Sequence, residues 1–224
     1  MALTERDVRV VMHVGNFKVL SKNMIANLEF NTKYGEATFQ RRLRKELKVY
    51  LDGPFYINVQ ESGARTPLYR LKKKGIQMYQ EIVARKYKTP AWNPYYLPHL
   101  LRTNELIIFM YDIISTFELE KQINYDLRTD AYFTTKNQKK ICIETDRGRE
   151  TKTEIENKID KYIQCHNIDN FSRLLLYSNR AERLLEWVNT QFEKKYFKID
   201  IGFQINVVQF RSPNIPLLIK ELKK

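Results

Sequence analysis

The stretch Gly35-Glu-Ala-Thr-Phe-Gln-Arg-Arg-Leu-Arg-Lys-Glu-Leu-Lys48 carries five basic residues and decides how the first part of the chain folds. Its apolar residues Phe39, Leu43 and Leu47 are four positions apart, a spacing that predicts one buried face of a helix. The opposite face then presents small, polar and cationic side chains. A short helix with these two faces suits the major groove of a nucleic acid duplex. The predicted outward face consists of Ala37, Thr38, Arg41, Lys45 and Lys48.

The segments on either side predict a winged helix-turn-helix over residues 1–88. Thr4 can cap a first helix that has acids in its first turn, and Ser21 can cap a second helix. The basic stretch is the third helix. Three helices followed by a hairpin is the order of the winged helix, a variant of helix-turn-helix. The later elements are predicted as a turn at 31–35, a break at Asp52-Gly53-Pro54, strands at 55–60 and 66–71 around a loop at 61–65, and a closing helix from Lys72.

The charge of the chain is concentrated in the same region. The net charge is +13, of which residues 1–90 carry +10 and the remaining 134 residues carry +3. Because phosphate neutralisation supplies most non-specific DNA affinity, this asymmetry predicts double-stranded DNA as a partner. The alternative is a solvated basic helix on a winged helix that binds protein. The residues predicted to contact DNA are Thr38, Arg41, Lys45, Lys48, Arg65 and Lys72.

The composition and the sequence patterns argue against a zinc-binding protein and against a membrane protein. The two cysteines, Cys142 and Cys165, form no CxxC pair and the three histidines are scattered, which argues against a structural zinc site. Both cysteines lie in apolar segments, as reduced thiols in the core of a cytoplasmic protein do. The best apolar run, at 106–111, is far shorter than the ~20 residues that a membrane span needs. The N-terminus lacks a signal-peptide pattern, so we expect no membrane association.

The second half of the chain predicts a small α/β domain with a mixed sheet. Residues 89–98 are read as a linker because three prolines occur in 85–98 without periodicity, and the second domain is expected over 99–224. Helices and strands then alternate, which is typical of a layered α/β structure. The predicted order is a helix at 99–117, strands at 130–135 and 140–145, a helix capped by Thr151, a strand at 173–177, a helix capped by Ser178 or Asn179, and a strand at 205–210.

Carboxylates in this second half suggest a cation site. Period-two alternation places Cys142, Glu144 and Asp146 on one face of a strand, and Asp130 begins the preceding strand. Clustered carboxylates at a strand end are the ligands that Mg²⁺ uses to activate water against a phosphodiester. On this hypothesis Asp130, Glu144 and Asp146 are catalytic, Mg²⁺ is the cofactor, and Glu105 joins Asp130 and Glu144 as a metal ligand. The alternative is that these acids cap the following helix start or pair with neighbouring arginines.

The turn Asp146-Arg-Gly-Arg-Glu150 also has two interpretations. Arg147 and Arg149 flank Gly148 just before a helix N-terminus, where backbone amides attract anions such as phosphate. The same arginines could neutralise Glu144 and Asp146. The chain contains neither a GxGxxG nor a GxxxxGK[ST] nucleotide loop, so nothing in the sequence indicates a nucleotide cofactor.

The order of these motifs resembles the replication-relaxation family of Gram-positive plasmids and mobile elements. The resemblance spans about residues 3–180, and its most specific part is Glu144-Thr-Asp-Arg-Gly148. It implies a role in plasmid replication and DNA relaxation. The other matching residues are Leu3-Thr-Glu-Arg-Asp7, Arg41-Arg-Leu43, Pro67-Leu-Tyr-Arg-Leu71, Lys74-Gly75, His99-Leu100, Asn104, Asp130-Ala131 and Glu150.

The second half is also similar to the PD-(D/E)XK nuclease layout, as a degenerate version of that restriction-endonuclease-like fold. Glu105, Asp130 and Glu144 fill three of its acid positions. Asp146 stands where the layout has lysine, and Thr129 stands where proline is usual. Because that lysine is expected to position the attacking water, its loss argues against cleavage.

Three functions follow from these observations. The first is a non-enzymatic DNA-binding protein of a plasmid or mobile element, acting in replication, relaxation or its control. It would dock the helix at 35–48 in the major groove and bring Arg65, at the hairpin tip, to the backbone or minor groove. A homodimer is expected because one winged helix reads few base pairs. The alternatives are a metal-dependent nuclease or nickase and a winged-helix transcriptional regulator.

Overall fold

The computed structural model describes residues 3–30, 34–58, 65–84, 86–90, 93, 96–166, 170–188, 190, 203–210 and 215–223. The chain divides into two compact units, residues 1–108 and residues 109–224. This division lies beyond the linker that the sequence predicts at 89–98. The helix that follows that linker belongs to the first unit, because Asn104 Nδ2 donates hydrogen bonds to the carbonyls of Phe17 and Val19 at 3.0 and 2.8 Å.

In its described residues, the first unit combines five α-helices with a three-stranded antiparallel sheet in the order β1-β3-β2. The predicted turn at 31–35 and loop at 61–65 fall largely outside the described residues. The elements of this unit are α1 (Glu5–Asn16), β1 (Leu20–Ser21), α2 (Lys22–Glu29), α3 (Gly35–Lys45), a 3₁₀ turn (Leu47–Val49), β2 (Leu51–Asn58), β3 (Arg65–Leu71), α4 (Lys73–Val83) and α5 (Tyr96–Phe109).

The two predicted helix caps are confirmed. The Thr4 hydroxyl accepts the Asp7 amide while the Asp7 carboxylate accepts the Thr4 amide, which completes a capping box at the start of α1. The Ser21 hydroxyl accepts the Met24 amide at 3.2 Å at the start of α2. Local sequence therefore determines where both helices begin.

The predicted break at Asp52-Gly53-Pro54 is wrong, because these residues lie inside β2. The register against β3 shifts between Asp52 and Phe55, so the strand accommodates them as a bulge. Gly53 has φ +137°, a conformation that other residues rarely adopt, and Pro54 lacks the amide that a regular ladder would require. Gly53 and Pro54 would interrupt a regular ladder of hydrogen bonds between strands. Because the bulge leaves them out of that ladder, β2 continues through them.

The second unit is built on a five-stranded mixed sheet in the order β10-β9-β8-β7-β4, in which β8, β9 and β10 are parallel and β4 and β7 are antiparallel. This confirms the predicted mixed sheet. The elements are a 3₁₀ turn (Tyr111–Ile113), β4 (Ile114–Leu119), β5 (Gln122–Asn124), β6 (Leu127–Arg128), β7 (Ala131–Thr135), β8 (Lys140–Asp146), α6 (Lys152–Cys165), β9 (Arg173–Ser178), α7 (Ala181–Trp187), β10 (Gln204–Gln209) and α8 (Ile215–Leu222).

Two predicted elements of this unit are corrected. The helix expected over 99–117 ends at Phe109, and Ile114–Leu119 is a strand that pairs with β7. Its residues Ile114 and Phe117 are of types that favour strands, and pairing with β7 overrides their helical spacing. Neither Ser178 nor Asn179 caps α7, whose N-cap is Arg180 without a side-chain hydrogen bond. The strand β9 extends through Ser178, so the helix begins only at Ala181.

The core of the second unit lies where α6 and α7 pack on β8 and β9. Thr151 and Glu154 form the predicted capping box of α6, and the buried face of that helix includes Ile155, Ile159 and Tyr162. Every residue of β9 is buried, as predicted for a strand covered on both faces. Both cysteines are buried thiols in this unit. In the part of the chain that the structure describes, no helix has both the length and the apolar character to cross a bilayer.

Candidate nucleic-acid interface and carboxylate cluster

The apolar face of α3 packs into the core of the first unit. Phe39 is fully buried, and its ring contacts Tyr69 edge-on with centroids 5.3 Å apart. Leu43 and Leu47 are buried as well. The helix ends at Lys45 rather than at Lys48, and the tighter 3₁₀ turn that follows keeps Leu47 in the core. The predicted buried face is therefore confirmed, although α3 itself is shorter.

The opposite face of α3 is open to solvent. Arg41 and Lys45 are exposed on the helix, Lys48 is exposed on the 3₁₀ turn, and Thr38 is half-buried. Among the residues that the structure describes, no acid forms an ion pair with Arg41, Lys45 or Lys48. Unpaired cations on one ridge keep their full charge available to an external anion.

Arg42 differs completely from the adjacent Arg41. Its Nε donates to Asp7 Oδ1 at 2.9 Å, its Nη2 contacts Asp7 Oδ2, and its Nη1 lies 3.3 Å from Glu46 Oε2. Burial opposes ionisation of Asp7, but hydrogen bonds from Arg42 and Thr4 outweigh it and hold the pKa of that carboxyl below its usual value. Arg42 thus ties α3 to α1.

The two remaining predicted contact residues lie near the hairpin. Arg65 is exposed and is the first residue of β3, while residues 59–64 before it lie outside the described part of the chain. Lys72 is exposed before α4, and its Nζ donates to the Lys48 carbonyl at 2.9 Å. This bond places the start of α4 beside the turn that follows α3, so Lys72 and Lys48 belong to one cationic area.

In the second unit, the carboxylates form a network with cations of the chain itself. Glu144 is buried at the end of β8, where its Oε2 accepts from Lys158 Nζ at 2.9 Å and its Oε1 accepts from the Tyr162 hydroxyl. Lys158 also donates to Glu150 Oε1 at 2.6 Å. Burial raises the pKa of Glu144 to about 7, and the nearby charge of Asp130 adds to this rise against the opposing effect of Lys158.

Asp146 and Asp130 are also engaged. Arg180 Nε and the Ser178 hydroxyl donate to Asp146 Oδ2 at 2.7 and 2.8 Å. Asp130 Oδ2 accepts the Thr145 amide at 2.8 Å, and its charge acts on Glu144, so β7 and β8 bring Asp130 close to Glu144 as predicted. These hydrogen bonds and ion pairs stabilise the ends of β8 and β9 and the turn that follows β8.

This arrangement does not fit a hard-cation site. Glu144 and Asp146 are already paired with ammonium and guanidinium groups, which a Mg²⁺ ion would have to displace. Glu105 lies on α5 in the first unit, with its carboxylate 2.7 Å from Arg102 Nη1. Within the described residues, no group of three or more His, Cys, Asp or Glu side chains could hold a metal ion.

The sequence analysis missed the partners of these acids. It considered Arg147 and Arg149 as cations for Glu144 and Asp146, and the structure adds Lys158 for Glu144 and Arg180 for Asp146. Lys158 and Tyr162 are four residues apart on α6, so helical spacing could have placed both on the face toward β8. Arg180 carries no comparable periodic pattern, because it follows β9 and reaches Asp146 only through the parallel pairing of β8 with β9.

The fold and these sites define a two-unit α+β protein with a cationic helix in the first unit and a salt-bridged mixed sheet in the second. The chain belongs to the replication-relaxation family, whose model matches residues 12–173. This membership suggests a role in the replication or relaxation of a plasmid or mobile element. Searches of curated proteins and of solved structures found no match to the chain.

Proposed function

We propose that the protein binds double-stranded DNA through α3 and acts in the replication or relaxation of a plasmid or mobile element. The observation that carries the proposal is the exposed cationic row of Arg41 and Lys45 on α3, opposite its buried apolar face, with Lys48 on the 3₁₀ turn that follows. Among the described residues, no acid forms an ion pair with these three side chains. Such a row neutralises phosphates and reaches base edges when the helix lies in a major groove.

The order of elements in the first unit supports a winged helix as the means of docking. The helices α1, α2 and α3 precede the antiparallel pair β2 and β3, and the short strand β1 adds to the same sheet. In that arrangement α3 is the recognition helix and the hairpin is the wing. Arg65 and Lys72 then extend the cationic area beyond α3 toward the DNA backbone.

The test is a binding titration with fluorescein-labelled duplexes over a series of salt concentrations. In an Arg41→Ala/Lys45→Ala variant, we expect weaker binding, by ~1–3 kcal/mol for each lost base contact. If both residues contact phosphates instead, the slope of log K against log salt falls by about 0.9 for each. The matched control is Lys86→Ala/Lys88→Ala, which removes two exposed charges of the same unit that do not belong to α3. Unchanged binding of the first variant to every duplex would refute the docking model.

We also propose that the DNA-bound form is a homodimer, because one recognition helix reads only a few base pairs. Sedimentation of the protein with a duplex of its own binding site measures this directly. A mass of two chains per duplex supports the dimer, and a mass of one chain at saturation excludes it.

A further inference from the structure

A cavity of about 470 Å³ in the first unit opens between the first turn of α1 and the outward face of α3. Its lining includes Thr38 and Arg41, both predicted to contact DNA, together with Arg6 from α1. The cavity therefore adjoins the cationic row of α3 and extends it to a helix that sequence analysis did not place near the DNA.

The charges around this cavity favour an anion. Of the acids in its lining, Asp7 is fully buried and already bonded to Arg42 and Thr4. Arg9 is paired with Glu29 at 2.9 Å. In the described part of the chain, neither Arg6 nor Arg41 has an ion-pair partner. Two guanidinium groups are thus left for a ligand, with Glu5 as the one exposed acid beside them.

Arg6 is also held in position before any ligand arrives. Its guanidinium carbon lies 5.3 Å from the ring centroid of Phe30, a cation–π contact with a buried aromatic side chain. Its planar group has donors left over for an anion, and guanidinium–phosphate pairs are often bidentate. The Thr38 hydroxyl adds a neutral donor on the α3 side. At the start of α1, the capping box already occupies the amides of Thr4 and Asp7.

We infer that Arg6, together with Thr38 and Arg41, holds one backbone phosphate of the bound duplex in this cavity. The inference rests on the proposed DNA binding and adds α1 to the interface. A phosphate at this position carries no sequence information, so it fixes how far α3 enters the groove and at which register. Arg6 is therefore a positioning contact that acts equally on all sequences.

The experiment compares Arg6→Gln, Arg6→Lys and the matched control Lys86→Gln in the same salt titration with duplexes of several sequences. Arg6→Gln is expected to weaken binding to every duplex by a similar factor, roughly tenfold, as the loss of one charge-assisted hydrogen bond predicts. The salt slope is expected to fall by about 0.9. Arg6→Lys is expected to keep the slope, because the charge remains, and Glu5→Gln is expected to tighten binding.

The outcomes separate this inference from the proposed function. Should Arg6→Gln keep wild-type affinity and slope while Arg41→Ala/Lys45→Ala loses binding, the phosphate site is wrong and the docking of α3 stands. Equal losses in Arg6→Gln and Lys86→Gln would show a general charge effect and would also overturn the site. If the wild-type chain binds no duplex, both proposals fail together. A melting temperature for each variant shows that the titration is made on folded protein, since Arg6 contacts Phe30.

Discussion

Replacing Arg42 with alanine tests whether the buried ion-pair network organises the first unit. Arg42 forms ion pairs with two acids that are almost inaccessible to water, since the side chains of Asp7 and Glu46 are 1% and 4% exposed. Within the described residues, neither carboxylate oxygen of Glu46 has a hydrogen-bond partner, so its charge is compensated by Arg42 at 3.3 Å. Removing the guanidinium leaves two buried carboxylates. Asp7 still accepts hydrogen bonds from Thr4, whereas Glu46 keeps no partner among the described residues.

The magnitude follows from this arrangement. Removing one partner of a buried pair typically costs ~3–5 kcal/mol, and the 20% exposure of the Arg42 side chain favours the lower end of that range. For a unit of this size, each kcal/mol lowers the melting temperature by about 4–8 °C. We therefore expect Arg42→Ala to destabilise the first unit by about 3 kcal/mol. The matched control, Arg41→Ala, is expected to stay within about 0.5 kcal/mol because its side chain is exposed.

Urea unfolding gives the free energies, and hydrogen exchange of peptides from α1 and α3 assigns them to the first unit. The dependence on pH provides a second check. Because the folded-state pKa of Asp7 is lowered, the stabilisation from its ionised form is present above the unfolded pKa of about 3.9 and is lost as pH falls through the folded value. The difference between wild type and Arg42→Ala should therefore shrink in acid. Equal stabilities of the two proteins at neutral pH would refute the reasoning.

Three further substitutions test the packing of the first unit at Gly15 and two polar interactions of the second unit, at Glu144 and Thr151. Burial raises the pKa of Glu144 to about 7, above its unfolded value of about 4.3, so the ionisation of Glu144 costs stability as pH rises from the unfolded to the folded value. Thermal melts should therefore show Glu144→Gln gaining on wild type between about pH 4 and pH 7, and a constant difference across this range contradicts the reasoning. Gly15→Ala would place its Cβ 2.1 Å from Tyr79 Cδ2 and should cost ~1–3 kcal/mol in urea unfolding, whereas an unchanged midpoint would mean that the ring moves freely. Thr151→Ala removes the α6 cap and should cost ~1 kcal/mol, visible as faster hydrogen exchange in the first turn of that helix, and equal exchange rates would argue against the capping box.

Elements specified by neighbouring residues were predictable from the sequence. The caps at Thr4, Ser21 and Thr151 and the buried face of α3 depend on side chains at most a few positions apart. The hairpin of β7 and β8 follows from two short apolar runs around a polar turn. In each case the local preference and the tertiary environment agree, so the pattern alone is sufficient.

Several elements that depend on distant pairing were not predictable. The segment Ile114–Leu119 has helical spacing in the sequence, yet it is a strand because β7 lies beside it. The bulge at Gly53 likewise depends on the register with β3. The sequence analysis did not predict the last helix, α8. This helix carries Glu221, whose carboxylate lies 2.9 Å from Nη1 of Arg173, a residue 48 positions earlier in the chain. No local window contains the partner that determines these structures.

The adjacent residues Arg41 and Arg42 show the same limit within the candidate interface. A helix rotates by about 100° per residue, so periodicity places Arg41 on the outward face and Arg42 at the border of the apolar face. It cannot reveal that the border faces Asp7, an acid 35 positions earlier in the chain. One arginine is thereby committed to holding α3 against α1, and that bond fixes the direction in which the other arginine projects. The proposed contact of α3 with DNA therefore depends on the ion pair between Arg42 and the buried Asp7. A count of charges cannot separate Arg42 from Arg41, because both belong to the same basic stretch.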